Sequence, residues 1–254
     1  MGTAVEGVIP VSQFVQEVAQ WGGLVLGGIG ILLSVVGLVS TRRTRRKAQR
    51  IESDRLLSKA WDILVGRPGS TWLFEEKSEA DRLEEARRLI DEALSLDRRY
   101  PKAHMYRGVY LQCMGEYEKA LMCHQRAIEL DSRYASAYNN LGRTYGQLGN
   151  SEAALENYKL ALKYDSDFAY AHYNLGEALF RMGDYDTAIL ELEWVAKRRH
   201  CPGRVLMKLG DAYLATGQKS KAQIQYQTAA QLCPEDDEVK RHLENLIARA
   251  PSSP

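Results

Sequence analysis

Residues 135–168 read ASAYNNLGRTYGQLGNSEAALENYKLALKYDSDF, and two amphipathic helices can be read from them. Tyr138, Leu141 and Tyr145 fall at i, i+3 and i+7, one face of a first helix. Gly149-Asn150 is a breaker pair, which sets a turn. Ala154, Leu155, Tyr158, Ala161 and Leu162 then give i, i+1, i+4, i+7 and i+8, the face of a second helix. Gly142 and Ala154 are small, as a close helix crossing requires, and large residues stand beside them. A single hairpin of this kind has more apolar face than it can bury alone, so neighbours must stack on it.

The pattern returns every 34 residues on both sides. Gly108, Gly142, Gly176 and Gly210 share the spacing, as do Gly115, Gly149, Gly183 and Gly217. Ala120, Ala154, Ala188 and Ala222 form a third column, with Ala86 one period upstream. Ala93, Ala127, Ala161, Val195 and Ala229 form a fourth. A period of 34 is a helix–turn–helix repeat length. The run Tyr138-x2-Leu141-Gly142-x2-Tyr145, with Ala154, Tyr158 and Ala161, resembles the tetratricopeptide repeat. The expected fold is therefore all-α, an α-solenoid of helix hairpins with a single transmembrane helix at the N-terminus.

Four repeats are placed at 101–134, 135–168, 169–202 and 203–236. The proline that the family carries near the repeat end occurs only as Pro234; Ser132, Ser166 and His200 stand there otherwise. Arg107 replaces the family's first-helix leucine. Residues 51–100 resemble a degenerate first repeat with a long loop at 66–78. There Leu56, Leu57, Ala60, Trp61 and Leu64 make one helical face, and Glu79–Leu96 a second helix. Trp72, Leu73 and Phe74 in the loop are either an exposed patch or fold back on the repeat edge. At the other end 237–249 reads as a capping helix, with Val239, Leu243, Leu246 and Ile247 on one face, and 250–254 as a tail.

With 254 residues, 45% apolar and 26% charged, the chain suits one sizeable domain plus something small. Net charge is +1, but Arg42, Arg43, Arg45, Arg46, Lys47 and Arg50 cluster, leaving 51–254 at −3. That balance excludes a basic nucleic-acid surface on the repeats. After a short tail at 1–17, residues 18–41 carry no charge and read as the transmembrane helix. Their centre at 21–40 spans about 30 Å as a helix, a bilayer core. Its eleven large aliphatics favour insertion by about 3–7 kcal/mol.

A cleaved signal peptide would need positive charge before the apolar run and a small-x-small site after it; here the order is reversed. Glu6 also stands where a myristoylation signal wants Ser or Thr. The basic segment 42–50 predicts an N-terminus outside and repeats in the cytoplasm, with contact to anionic lipid headgroups. Arg-rich flanks and a short translocated tail suit a bacterial inner membrane better than an organelle membrane. Gly23, Gly27, Gly30 and Ser34 lie on one helical stripe with small-xxx-small spacing. The stripe either lets two copies associate in the membrane or reflects the ordinary glycine content of such helices.

No phosphate loop, GxSxG or HExxH occurs, so no enzyme, catalytic residue or cofactor is expected. His104 and His172 share the first-helix position of Tyr138 and read as packing residues. The cysteines, Cys113, Cys123, Cys201 and Cys233, include no CxxC pair and read as helix-packing thiols, with a disulfide or zinc site as the alternative. Cys113, Cys123, His104 and His124 make a thin metal set, and no metal residue is assigned.

The resemblance implies a binding module that holds a protein or peptide along the inner face of its first helices. Asn139, Arg143, Asn174, Arg204 and Lys208 belong to that face, the cations having no evident partners in sequence. Co-chaperone members of the family clamp an acidic C-terminal peptide with Lys and Asn one turn apart, Asn in the next repeat, then Lys and Arg one turn apart. Asn174, Arg204 and Lys208 fit the last three, while Asn139 and Arg143 stand where Lys and Asn belong. The expected function is a membrane-tethered adaptor with a groove that favours acidic segments. The alternatives are an organelle-surface import or chaperone-docking receptor and a structural oligomer.

Overall fold

The computed structural model describes residues 43–64, 78–198 and 203–232. The expected membrane helix at 18–41 with Gly23, Gly27, Gly30 and Ser34 lies outside them. So do Arg42, the body of the 66–78 loop, Cys201, Cys233 and the capping helix at 237–249. No helix among the described residues is long and apolar enough to cross a membrane.

The chain divides into two compact units, 1–52 and 53–254. Helix α1 spans residues 43–64. It is already helical at 43, inside the basic stretch and ahead of the expected start at Ile51. Arg, Lys, Ala and Gln are good helix formers, and no Gly or Pro interrupts them. Arg43, Arg45, Arg46, Lys47 and Arg50 are exposed on it. The second unit continues with α2 (Glu79–Leu96), α3 (Pro101–Cys113), α4 (Tyr117–Leu130) and α5 (Ala135–Gln147). Then come α6 (Ser151–Tyr164), α7 (Ala169–Arg181), α8 (Tyr185–Ala196), α9 (Gly203–Ala215) and α10 (Lys219–Leu232).

Helices pair as α3 with α4, α5 with α6, α7 with α8 and α9 with α10. Each second helix packs on the first helix of the next hairpin, and first helices touch in succession. The result is an all-α solenoid. The alanine columns explain the close spacing: Ala86, Ala93, Ala120, Ala127, Ala161, Ala188, Ala222 and Ala229 are fully buried. Residues 53–64 join the stack through Leu56, Leu57 and Ala60, which pack against Leu89, Ile90 and Ala93. Ser53 Oγ donates to the Ala93 carbonyl at 3.3 Å.

The turns repeat as faithfully as the helices. Gly115, Gly149, Gly183 and Gly217 end the first helices of their hairpins at φ +73° to +85°, the left-handed region. An added Cβ at Gly149 meets nothing within 4 Å, so only backbone strain opposes it. Gly149→Ala is expected to lose about 1 kcal/mol, read as a lower urea midpoint for the full chain. The turns between hairpins are held by aspartates: Asp97, Asp131 and Asp165 Oδ1 accept from the backbone N–H two residues on.

Candidate functional site

The first helices α3, α5, α7 and α9 line one face of the stack, and their polar residues form a connected set. Asn139 is only 4% exposed. Asn174 Nδ2 donates to Asn139 Oδ1 at 2.9 Å across the α5–α7 boundary. Gln112 Nε2 crosses the α3–α5 boundary in the same way, to Thr144 Oγ1 at 2.6 Å and the Asn140 carbonyl at 3.2 Å. These bonds tie successive first helices together.

The expected cations do have partners. Arg143 is exposed, and its Nη1 donates to Asn140 Oδ1 at 3.2 Å. The Arg204 guanidinium lies 5.2 Å from the centre of the Tyr173 ring. Lys208 Nζ stands 3.6 Å from Asp211 Oδ2. The five residues singled out in the sequence therefore split. Asn139 and Asn174 bond each other and stiffen the frame. Arg143 and Arg204 keep donors toward solvent, and Lys208 sits half-buried beside a carboxylate. A clamp of free amides and ammonium groups is not what these side chains form.

Aromatic residues at the face went unassigned in the sequence. Tyr170 is 61% exposed on α7, and Tyr173 carries Arg204 on its ring. Tyrosines at helical spacing read as core. Only their position relative to the buried columns Ala171, Leu175 and Leu179 distinguishes them.

Behind the face the phenols act as neutral donors. Burial pushes Tyr158 up to about 12, with Arg143 acting the other way and Glu177 adding to the rise. Burial, with the Glu193 hydrogen bond, pushes Tyr213 up to about 12 as well. The bond from Tyr213, with Lys197, holds the Glu193 carboxyl below the usual range. Tyr226 OH donates to Asp211 Oδ1 at 2.6 Å. Cys113 is exposed, so it is not the packing thiol that the sequence suggested, and Cys123 is half-buried; partial desolvation pushes both thiols up, and they stay protonated at neutral pH. Among the described residues no group of three or more His, Cys, Asp or Glu is placed to hold a metal.

His104 and His172 are hydrogen-bonding residues more than packing ones. His104 Nε2 meets the Arg98 carbonyl at 2.9 Å, and His172 Nε2 meets the Ser166 carbonyl at 3.0 Å. Tyr138 OH meets the Ser132 carbonyl in the same place at 3.3 Å. One first-helix position thus satisfies the turn six residues earlier. His172 also stacks on Trp194 at 3.7 Å, with the Arg198 guanidinium 3.3 Å from the same indole's centre.

The sequence matches the TPR repeat family at 114–149 and 145–183, and the tetratricopeptide repeat family at 176–237. Residues 114–237 are therefore tetratricopeptide repeats. No curated protein sequence matches the chain. Solved structures share the fold at low identity. A thermophilic TPR protein of Thermus thermophilus is 20% identical, with a TM-score of 0.59 over 77% of this chain and 99% of that one. YrrB, a TPR protein with an unusual peptide-binding site, is 19% identical, with a TM-score of 0.52 over 65% of this chain and 85% of that one. MamA of Desulfovibrio magneticus RS-1 is 23% identical, with a TM-score of 0.54 over 59% of this chain and 84% of that one.

Proposed function

We propose that this chain is a membrane-tethered adaptor that holds a partner protein or peptide along the first-helix face of its repeats, on the cytosolic side of a membrane. The observation that carries the binding half is the group Arg143, Tyr170, Tyr173 and Arg204. It offers guanidinium donors and exposed aromatic surface on one face, a combination that suits an extended segment carrying carboxylates. YrrB, similar in fold, is described by its peptide-binding site. The tether half rests on the uncharged run 18–41 and the basic residues that follow it. Self-association through Gly23, Gly27, Gly30 and Ser34 belongs to the same reading, as does the choice of a bacterial inner membrane.

The receptor alternative has less support. A two-carboxylate clamp needs Lys and Asn where Asn139 and Arg143 stand, and the Asn174 amide donates to Asn139 Oδ1.

The test uses the full chain in detergent micelles. Tagged parent and an Arg143→Ala/Tyr173→Ala/Arg204→Ala variant are compared for the proteins they retain. Loss of a specific partner, with helical content unchanged, is the expected result. Retention of the same partners by both would rule the face out. Separately, the full chain is expected to stay with membranes after an alkaline wash, and its release would end the tether reading.

A further inference from the structure

The first-helix face repeats as a stripe of three residues at i, i+3 and i+7. On α5 the stripe is Ser136, Asn139 and Arg143, on α7 Tyr170, Tyr173 and Glu177, and on α9 Arg204, Met207 and Asp211. Arg143 ends the α5 stripe, and Arg204 begins the α9 stripe. The two arginines therefore mark a diagonal across α7.

The charges along this diagonal are not balanced. Arg181 pairs with Glu177 at 2.8 Å, and Lys208 with Asp211 at 3.6 Å. Beyond them, Lys102 of α3 pairs with Asp54 of α1 at 2.7 Å. The carboxylates nearest the two arginines are thus already matched. Among the described residues the partners of Arg143 and Arg204 are neutral: the Asn140 side-chain oxygen at 3.2 Å and the Tyr173 ring at 5.2 Å. Both arginines are exposed. Arg143, Arg181, Arg204 and Lys208 against Glu177 and Asp211 leave two positive charges in excess, and the excess sits on two guanidinium forks.

Their spacing selects a ligand. Helices α5 and α7 touch, as do α7 and α9, and packed helix axes stand about 8–10 Å apart. Arg204 leans back over Tyr173, which lies four residues before the level of Arg143, about 6 Å at the helical rise. The two guanidinium groups are therefore about 10–15 Å apart. An extended segment advances about 3.3 Å per residue and turns alternate side chains to one side. Carboxylates at i and i+4 share a side and stand about 13 Å apart. Those at i and i+2 fall short, and those at i and i+3 point to opposite sides.

We propose that the first-helix face reads an extended peptide segment of a partner protein by two carboxylates four residues apart, one on Arg143 and one on Arg204. Each fork takes its carboxylate by charge-assisted hydrogen bonds. The proposal rests on the first-helix face being the binding face, and it adds the spacing that a partner must present.

The probe is fluorescein-labelled Ser-Glu-Ser-Thr-Ser-Glu-Ser amide, titrated with the full chain in detergent micelles and followed by anisotropy. Two peptides of the same composition and charge are the comparison, one with Glu at i and i+2 and one with Glu at i and i+3. The i, i+4 peptide should bind tighter than either by roughly tenfold, one matched charge-assisted contact. Arg143→Gln and Arg204→Gln should each bring it to the level of the other two, with helical content unchanged. Arg126→Gln, on the outer helix α4, should change nothing. Equal affinity for all three peptides, still lowered by Arg143→Gln or Arg204→Gln, overturns the spacing and leaves the face standing. Binding that neither substitution weakens overturns both. Binding to none of the three overturns the spacing, and partner capture then decides the face.

Discussion

Gly142→Ala is expected to destabilise the full chain by about 1–2 kcal/mol net, although alanine is the better helix former. A Cβ at 142 would stand 2.7 Å from Tyr158 Cε1, 2.9 Å from Cδ1 and 3.0 Å from the Ala154 carbonyl oxygen. The ring can tilt. The carbonyl oxygen belongs to the helix backbone of α6 and moves only if the helix moves. Alanine contributes about 1 kcal/mol in helix propensity, while forcing a methyl into a packed crossing costs about 1–3 kcal/mol and occasionally more. The upper part of that range applies because Tyr158 is itself buried. Gly146 is the control, one turn along the same helix. There the nearest atoms to an added Cβ are Ala154 Cβ at 3.9 Å and Tyr158 OH at 4.0 Å, ordinary contact distances. Gly146→Ala should therefore stabilise by about 0.5–1 kcal/mol. Urea unfolding of the two variants should move the midpoint in opposite directions. Equal shifts would mean that the α5–α6 crossing is looser than its contacts imply.

The solenoid was legible in the sequence because its physics is local and repeated. Each hairpin needs the same small residues at the crossing and the same glycine at the turn, so the columns show. The site was legible only in part. Asn139 and Asn174 read as ligand-facing because they are polar and sit on the right helices. Their mutual bond joins residues 35 apart, and only the stacking of α5 on α7 brings them together. Tyr173 went unassigned, and the arginine on its ring lies in the next hairpin. Contacts between hairpins, rather than within them, are what a single repeat does not encode.

The same reasoning applies to His124, whose column otherwise holds Tyr158, Leu192 and Tyr226. His124 is fully buried against Gly108, and neither ring nitrogen has a hydrogen-bond partner. Burial, with Arg143 acting in the same direction, pulls its pKa down to about 3. The folded chain thus keeps the imidazole neutral where the unfolded chain, at about 6.5, accepts a proton. Between those values the unfolded state binds more protons, so stability falls as pH drops from about 6.5 toward 3 and levels off below. The full span corresponds to about 4–5 kcal/mol, of which about 2 kcal/mol is lost by pH 5. His124→Leu is expected to remove that loss. It should also stabilise the chain by about 1–3 kcal/mol at pH 7, because two buried polar atoms without partners disappear. Leu192 against Gly176 shows that leucine fits such a crossing. Glu84 and Glu193, both held below the usual carboxylate range, stay ionised at pH 5 in parent and variant alike, so they do not confound the comparison. Repeats can open one hairpin at a time. The measurement is therefore urea unfolding at pH 7 and pH 5, together with amide exchange in α3 and α4. A steep parent and a flat variant are expected, with the protection gain concentrated in those two helices. Parallel pH dependences would mean that His124 finds a partner in solution and does not drive the acid sensitivity of this hairpin.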